Sequence, residues 1–190
     1  MYQAERDPYC YPDSEVLKNK PGLKTPETLE AFETAMTFAR AEESLPRGRF
    51  SARHYRAVHH HLFQDVYEWA GKFRSVRLSK GVSSFCYPEN IDREMTTLFA
   101  WLKQETCLRH RSPADFAADA AHFLSELNAI HPFREGNGRT QLTFLALLAD
   151  RADHPLDLDR LDPVVTLDAM IKSFRGNSAP LVAVIAALIA

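Results

Sequence analysis

The stretch "HPFREGNGRTQLTF", residues 131–144, joins a dense polar segment to an apolar one. Pro132 cannot continue a helix, so a preceding helix is predicted to end near His131. The glycines at 136 and 138 tolerate backbone conformations that let successive amide groups converge on one point. The apolar residues that follow predict a buried helix that begins directly after the turn. The segment therefore places polar side chains at the N-terminus of a core helix.

Outward from this stretch, the chain has the apolar spacing of a series of helices. Thr25 and Ser112 are predicted N-caps, because each is followed by proline and then by apolar residues at helical spacing. The helix that starts at Ser51 is predicted to run to Gly71, with Val66 and Trp69 on its apolar stripe. The predicted helices cover residues 25–45, 51–71, 90–105, 112–131, 138–152, 165–174 and 179–190.

One segment, residues 73–87, does not fit a helix. It alternates loosely, and valines, serines and aromatic residues flank Lys80-Gly81 in its middle. This pattern predicts a short β-hairpin, which must lie against the helical body because an isolated hairpin is only marginally stable. The expected fold class is therefore mainly α, as a single domain over residues 1–190 with one hairpin flap.

Composition excludes several classes of protein. The 23 Lys and Arg residues nearly balance the 25 Asp and Glu residues, which leaves no broad basic field for nucleic acid or a membrane surface. Cys10, Cys86 and Cys107 match neither a disulfide framework nor a zinc spacing, and this favours a reducing cytosol. The N-terminus lacks the apolar core of a signal peptide, and the apolar C-terminal run is too short to span a bilayer. We expect a cytoplasmic protein with no membrane contact and no direct nucleic-acid binding.

The polar loop at 131–139 carries the chemistry. A helix N-terminus behind a glycine turn is an anion site, and the guanidinium of Arg139 pairs well with phosphate. Glu135 would be repelled by phosphates unless a cation such as Mg²⁺ lay between them. Histidine is the side chain that most readily takes a proton near neutral pH, so His131 is the candidate general base. The loop therefore predicts a Mg²⁺-dependent transfer from a nucleoside triphosphate.

Plainer interpretations exist for each feature taken alone. A histidine before a proline usually just ends a helix, and Gly-Asn-Gly is usually only a turn. The ordered conjunction of these features before an apolar helix favours the functional interpretation. The three histidines at 59–61 point in different directions on a helix, which favours a packed or solvated helix face over a metal site.

With these residues in view, the chain resembles the Fic-domain family. The segment "HPFREGNGRT" is similar to the family signature His-x-Phe-x-Asp/Glu-Gly-Asn-Gly-Arg-x-x-Arg, and residues 7–20, 59–81 and 170–185 resemble Fic segments in the expected order. The resemblance implies a Fic-like helical domain that transfers AMP from ATP to a hydroxyl of a target protein and releases pyrophosphate. It also implies His131 as general base, Glu135 as Mg²⁺ ligand and Phe133 as an anchor of the loop.

The resemblance implies roles for two further sets of residues. Lys80 and Phe85 fall in the family's flap, which would align the target by strand addition. The residues implied to hold the nucleotide phosphates are Gly136, Asn137, Gly138 and Arg139.

One position departs from the signature, because Leu142 stands where the family has its second arginine. In the family this arginine helps to orient the triphosphate. Leu142 therefore indicates either a weakened or altered transferase, or a relative that only binds nucleotides or partners. In the plainest interpretation, Leu142 packs in the buried helix and Arg139 carries the phosphates alone.

The resemblance also bears on regulation and partners. Family members are often restrained by a helix with Ser/Thr-x-x-x-Glu-Gly/Asn, and Glu30 and Glu33 in the first helix lack that pattern. Three interpretations remain: a separate small antitoxin with an inhibitory glutamate helix, an unrestrained enzyme, or a chain too altered to need restraint. Short chains of this kind resemble bacterial toxins of toxin–antitoxin pairs, and DNA topoisomerases are among the family's targets. The implied partner is a protein with a Ser, Thr or Tyr hydroxyl.

Overall fold

Helices dominate residues 7–80 and 83–190, which are the residues that the computed structural model describes. The prediction of a mainly α fold is thus confirmed. The helices are α1 (Pro26–Ala41), α2 (Ala52–Phe63), α3 (Ile91–Gln104), α4 (Pro113–Ile130), α5 (Asn137–Arg151), α6 (Pro163–Phe174) and α7 (Ala179–Leu188). Short 3₁₀ turns occur at Pro88–Asn90, Thr106–Leu108 and Leu158–Arg160.

The predicted helix starts agree with the structure because side-chain caps define them. Thr25 Oγ1 accepts a hydrogen bond from the backbone N–H of Thr28 at 3.3 Å. Ser112 Oγ accepts one from the N–H of Asp115 at 3.2 Å. Each cap satisfies one of the backbone donors that the first helical turn leaves without an intrahelical partner.

Helix α4 forms the centre of the bundle and packs against α3, α5, α6 and α7. Its fully buried Phe116 and Phe123 lie in a core that also holds Tyr55 of α2 and Phe144 of α5. Large aromatic side chains of this kind dominate the apolar area that folding removes from water. The opposite face of α5 lines a cleft, so α5 is less enclosed than its apolar sequence predicts.

The apolar C-terminal run forms α7, which packs against α4 and α6. Leu181 and Ile185 are almost fully buried there. The run is therefore a core helix, as expected. None of the described helices has the length and hydropathy needed to cross a membrane.

The prediction that α2 continues to Gly71 is wrong, because the helix ends at Phe63 and turns follow. Side chains of α2 hold the returning chain: Arg56 Nε donates to the carbonyl of Gly71 at 2.8 Å. Val66 is nevertheless fully buried, as the helical stripe predicted. Apolar spacing alone does not separate a helix from a series of turns that buries the same residues.

The predicted hairpin exists but is shorter than residues 73–87. Its strands are β1 (Ser79–Lys80) and β2 (Ser83–Ser84), which pair antiparallel with Ser79 opposite Ser84. The predicted turn at Gly81 lies outside the described residues. The segments that lead into β1 and out of β2 are the two stems of the flap. The stem after β2 attaches to the helical body, since the N–H of Cys86 donates to the carbonyl of Ala129 at 3.0 Å.

Candidate active site

A cleft of about 700 Å³ lies between the flap and helices α4 to α7. It brings together residues that the sequence separates by more than half of the chain, from Leu78 to Leu188. The predicted site residues that line it are Phe85, His131, Glu135, Asn137 and Gly138. Gly136 and Arg139 belong to the same loop but do not line the cleft, and Lys80 follows the cleft residue Ser79 in β1.

His131 caps the C-terminal end of α4 in a left-handed backbone conformation with φ 47° and ψ 62°. Its N–H still donates to the carbonyl of Leu127 at 2.9 Å. A left-handed conformation costs a non-glycine residue about 1–2 kcal/mol, so surrounding contacts must hold it. One of them is the Phe85 ring, which stacks on the imidazole with the ring centres 3.9 Å apart. The flap therefore covers the candidate base.

His59 is a positioning residue that the sequence did not reveal. It is fully buried, and its ring stacks on Phe133 at 3.7 Å. Its Nδ1 accepts a hydrogen bond from the N–H of Gly71 at 2.8 Å, so Nε2 carries the proton and donates to the carbonyl of Glu135 at 3.0 Å. Burial lowers the pKa of His59 to about 3. The neutral ring thus holds the backbone of Glu135 and has no nitrogen left for a metal.

Asn137 locks the loop from the inside. Its Oδ1 accepts from the N–H of Phe133 at 2.9 Å, and its Nδ2 donates to the carbonyl of the same residue at 2.8 Å. Phe133 is itself fully buried and stacks on Tyr55. The predicted phosphate-binding role of Asn137 stays a prediction, and because its side-chain amide is engaged in this way, that role would fall to its backbone N–H.

The N-terminus of α5 supplies the candidate anion site. The helix begins at Asn137 after Gly136, and no side chain caps it among the described residues. The first-turn amide groups of a helix lack intrahelical acceptors and lie at the positive end of its dipole. This end of the cleft can therefore bind an anionic group through backbone amides.

Glu135 is the one carboxylate among the described residues that line the cleft. Its side chain is 46% exposed, and its Oε1 accepts the N–H of Gly136 at 2.8 Å. The described residues contain no cluster of three or more His, Cys, Asp or Glu side chains that could hold a metal by itself. A single carboxylate fits Mg²⁺ that also takes phosphate oxygens, which is the usual arrangement for this ion.

Arg139 reaches from α5 toward α1, and its Nη2 also lies 3.9 Å from Oε1 of Glu135. Its Nη2 donates to Glu33, and its Nη1 donates to Thr37 Oγ1 at 3.2 Å. The hydroxyl of Tyr67 also donates to Glu33, and burial together with this carboxylate raises the pKa of Tyr67. Glu33 thus receives two donors inside the fold. The phosphate-binding role of Arg139 stays a prediction, and the ion pair with Glu33 competes with it.

The pairing with Glu33 leads to a testable prediction. Glu33→Gln retains an amide oxygen for the Tyr67 hydroxyl but removes the negative charge that holds Arg139. If Arg139 serves the nucleotide, we expect ATP affinity to rise about two- to fivefold, the size of one partly exposed ion pair. Calorimetry with ATP and Mg²⁺ measures this. Glu30→Gln, an exposed change in the same helix, is the control. Equal affinities in all three proteins would contradict the role of Arg139.

The wall of the cleft combines apolar and unsatisfied polar groups. Leu142 is half-buried and lines the cleft, so it does not pack in the core as the plainest interpretation had it. Gln141 Nε2 and Thr166 Oγ1 are buried in the same wall, and neither has a hydrogen-bond partner among the described residues. A buried polar group without a partner is costly, which makes both available to a ligand.

Solved structures show which class of protein has this architecture. The BepC protein of Bartonella tribocorum, solved with bound AMPPNP, matches with a TM-score of 0.87 and 27% identity over 96% of each chain. The N-terminal Fic domain of a Bep effector protein of Bartonella quintana, solved with bound ADP, matches with a TM-score of 0.86 and 30% identity. That match covers 95% of this chain and 93% of the other.

Sequence comparison gives the family. The Fic/DOC family profile matches residues 49–149. "Probable protein adenylyltransferase y4lH" of Sinorhizobium fredii is 51% identical over 99% of this chain and 98% of its own. "Protein adenylyltransferase VbhT" of Bartonella schoenbuchensis is 38% identical over 93% of this chain and 38% of its own. The chain belongs to the Fic/DOC family.

Proposed function

We propose that this protein is an adenylyltransferase that transfers AMP from ATP to a hydroxyl side chain of a target protein. The observation that carries the proposal is the shared cleft of His131, Glu135 and the uncapped N-terminus of α5 beneath the flap. The names of the two relatives support the reaction. The AMPPNP and ADP bound to the two structural neighbours support an adenine nucleotide as the donor.

The reaction needs a base, an anion site and a positioned acceptor. His131 takes the proton of the target hydroxyl as the hydroxyl oxygen attacks the α-phosphorus of ATP. The bond from the α-phosphorus to the bridging oxygen breaks, and pyrophosphate leaves. The amides of Asn137 and Gly138 bind the phosphate oxygens, whose negative charge the positive end of the α5 dipole stabilises.

Glu135 is the residue that would hold Mg²⁺. The ion, when bound with the nucleotide, supplies positive charge to the phosphate oxygens. His59 and the N–H of Gly136 fix the backbone and the carboxylate of Glu135, respectively. The chain thus orients this ligand before any nucleotide arrives.

The flap is proposed to present the target. Leu78 and Ser79 line the cleft at the start of β1, so an extended target segment added to this short strand would bring its hydroxyl toward His131. Strand addition reads backbone more than sequence, which suits a Ser, Thr or Tyr acceptor. The proposed biological role is the toxin of a toxin–antitoxin pair in the cytoplasm, with a DNA topoisomerase as candidate target. Its support is the resemblance to Fic toxins.

Labelled nucleotides test the reaction directly. The protein is incubated with cell lysate, Mg²⁺ and ATP labelled either at the α- or at the γ-phosphate. Relative to lysate alone, AMP transfer predicts additional protein-bound label from the α-position and no additional label from the γ-position. Label from the γ-position would indicate phosphorylation instead, and no label from either would overturn the proposal. Parallel reactions with labelled GTP, CTP and UTP give the preferred base.

A second candidate function is a nucleotide- or partner-binding module without transfer. Two observations favour it: Leu142 supplies no charge to the cleft wall, and Arg139 is held by Glu33. Calorimetry with ATP and Mg²⁺ separates the candidates when it is combined with the labelling assay. Binding without labelling identifies the module, whereas labelling identifies the enzyme.

Leu142→Arg tests whether the cleft lacks a phosphate ligand. Because Leu142 lines the cleft outside the core, an arginine there can reach a bound polyanion without burial of an unpaired charge. One charge-assisted hydrogen bond adds about 1.5–3 kcal/mol, so we expect about 10- to 150-fold tighter ATP binding or faster transfer. Thr143→Arg adds the same charge beside the cleft and is the control. A lower melting temperature without gain in affinity or transfer would refute the idea.

A further inference from the structure

Arg74 is a buried cation at the junction between the flap and α4. Only 2% of it is exposed. Its guanidinium donates to the carbonyl oxygens of Val76 and Cys86, at 2.6 Å each, in the two stems of the flap. It also donates to the carbonyl oxygens of Ile130, at 3.2 Å, and His131, at 2.8 Å. One side chain therefore joins four carbonyl groups from two separate parts of the chain.

The charge of Arg74 is balanced by these carbonyl groups and not by a carboxylate, since none of the salt bridges among the described residues includes it. Burial lowers the pKa of Arg74, although arginine stays protonated in proteins. Two of its acceptors lie at the C-terminal end of α4, where carbonyl groups lack intrahelical donors and the helix dipole is negative. Arg74 thus caps the last carbonyl groups of α4 with its side chain.

Further contacts fasten the same junction. The backbone N–H of Arg74 donates to the carbonyl of Pro132 at 2.9 Å. Across from it, the N–H of Cys86 donates to the carbonyl of Ala129 at 3.0 Å. Phe85, next to Cys86, stacks on the imidazole of His131. The flap stems and the left-handed backbone of His131 are therefore parts of one hydrogen-bonded unit centred on Arg74.

We propose that Arg74 is a positioning residue that couples the flap to His131. Through its carbonyl partners it fixes the imidazole under Phe85 and holds β1 and β2 over the cleft. The consequence for transfer rests on the proposed function, because it assumes that His131 is the base and the flap aligns the target. The coupling itself is a property of the folded chain. A lysine cannot replace Arg74, since an ammonium group lacks the planar fork that reaches several carbonyl groups at once.

Arg74→Lys tests the coupling with measurements that need no activity. We expect the Cys86 amide proton to exchange with solvent at least about tenfold faster, as the loss of one charge-assisted hydrogen bond predicts. The NMR signals of the His131 ring should also move away from the positions that the stacked Phe85 ring imposes. Arg40→Lys is the control, because Arg40 also uses its guanidinium fork, toward Asp65 at 2.6 and 2.9 Å, and none of its hydrogen bonds among the described residues involves the flap or α4.

Transfer and nucleotide binding complete the test. With α-labelled ATP and lysate, Arg74→Lys should label protein at least about tenfold more slowly, while ATP affinity by calorimetry stays unchanged. If the exchange rate of the Cys86 amide proton and the NMR signals of the His131 ring in Arg74→Lys match those of the wild type, the coupling is refuted, whatever the rate of transfer. If transfer and ATP affinity fall together, Arg74 supports the fold alone and the proposal is also refuted. If the wild type shows no transfer but the exchange and NMR effects appear, the proposed function fails and the coupling stands.

The wild-type protein provides an independent check should Arg74→Lys not fold. Coupling predicts that the amide protons of Cys86 and His131 become exchangeable in one opening event, with the same opening free energy and the same dependence on denaturant. Exchange of Cys86 through a smaller opening that leaves His131 protected would refute the proposal.

Discussion

Replacing His131 by alanine is expected to lower the rate of AMP transfer by about 10²–10⁴-fold, the usual contribution of a general base. The amides of α5 and the carboxylate of Glu135 remain in place, so ATP affinity should change little. A loss in transfer without a loss in binding is the sign of a group that acts only in the transition state. Labelling with α-labelled ATP measures the rate, and calorimetry measures the binding.

Two further variants separate chemistry from folding. His131→Asn keeps a residue type that tolerates the left-handed conformation at this position but removes the base. It should be as inactive as the alanine variant and melt close to the wild type. His122→Ala, an exposed change on α4, should leave transfer intact. Transfer at the wild-type rate by either His131 variant would show that another group takes the proton.

Local features of the sequence allowed most of the fold to be predicted. The caps at Thr25 and Ser112 and the apolar spacing of the helices depend on residues a few positions apart. The same holds for the loop from His131 to Gly138, whose proline and glycines determine the turn. The end of α2 was predicted wrongly because Arg56 and His59 bond to the backbone of Gly71, and spacing does not report such contacts.

The supports of the candidate site could not be predicted, because their partners are distant in sequence. Arg74 bonds to the carbonyl of His131 across 57 positions, and His59 bonds to that of Glu135 across 76. Glu33 meets Arg139 across 106 positions. An arginine in a hairpin, a histidine in a run of three and a glutamate on a helix each look ordinary in sequence. Only the packing of the helices shows that each of these three side chains contacts the polar loop at 131–139.

The two glycines of the loop should respond oppositely to alanine. Gly136 has φ +82°, and a Cβ there would lie 2.3 Å from the ring of Phe63. Overpacking costs about 1–3 kcal/mol and the left-handed conformation about 1–2 kcal/mol, so Gly136→Ala should strongly destabilise the fold. For a domain of this size, the melting temperature falls by roughly 2–4 °C for each kcal/mol of unfolding free energy that is lost. Thermal melting measures that loss directly.

A Cβ on Gly138 would meet no protein atom within 4 Å, and Gly138 lines the cleft. The fold therefore does not require glycine at this position. A phosphate that approaches the helix amides does require it, because a Cβ would stand in its way. Gly138→Ala should melt like the wild type but bind ATP at least about tenfold more weakly, the loss expected when a charge-assisted hydrogen bond is prevented. Calorimetry and melting on both variants decide the matter. A Gly136→Ala protein as stable as the wild type would mean that Phe63 can move aside. Normal ATP affinity in Gly138→Ala would place the phosphates elsewhere in the cleft.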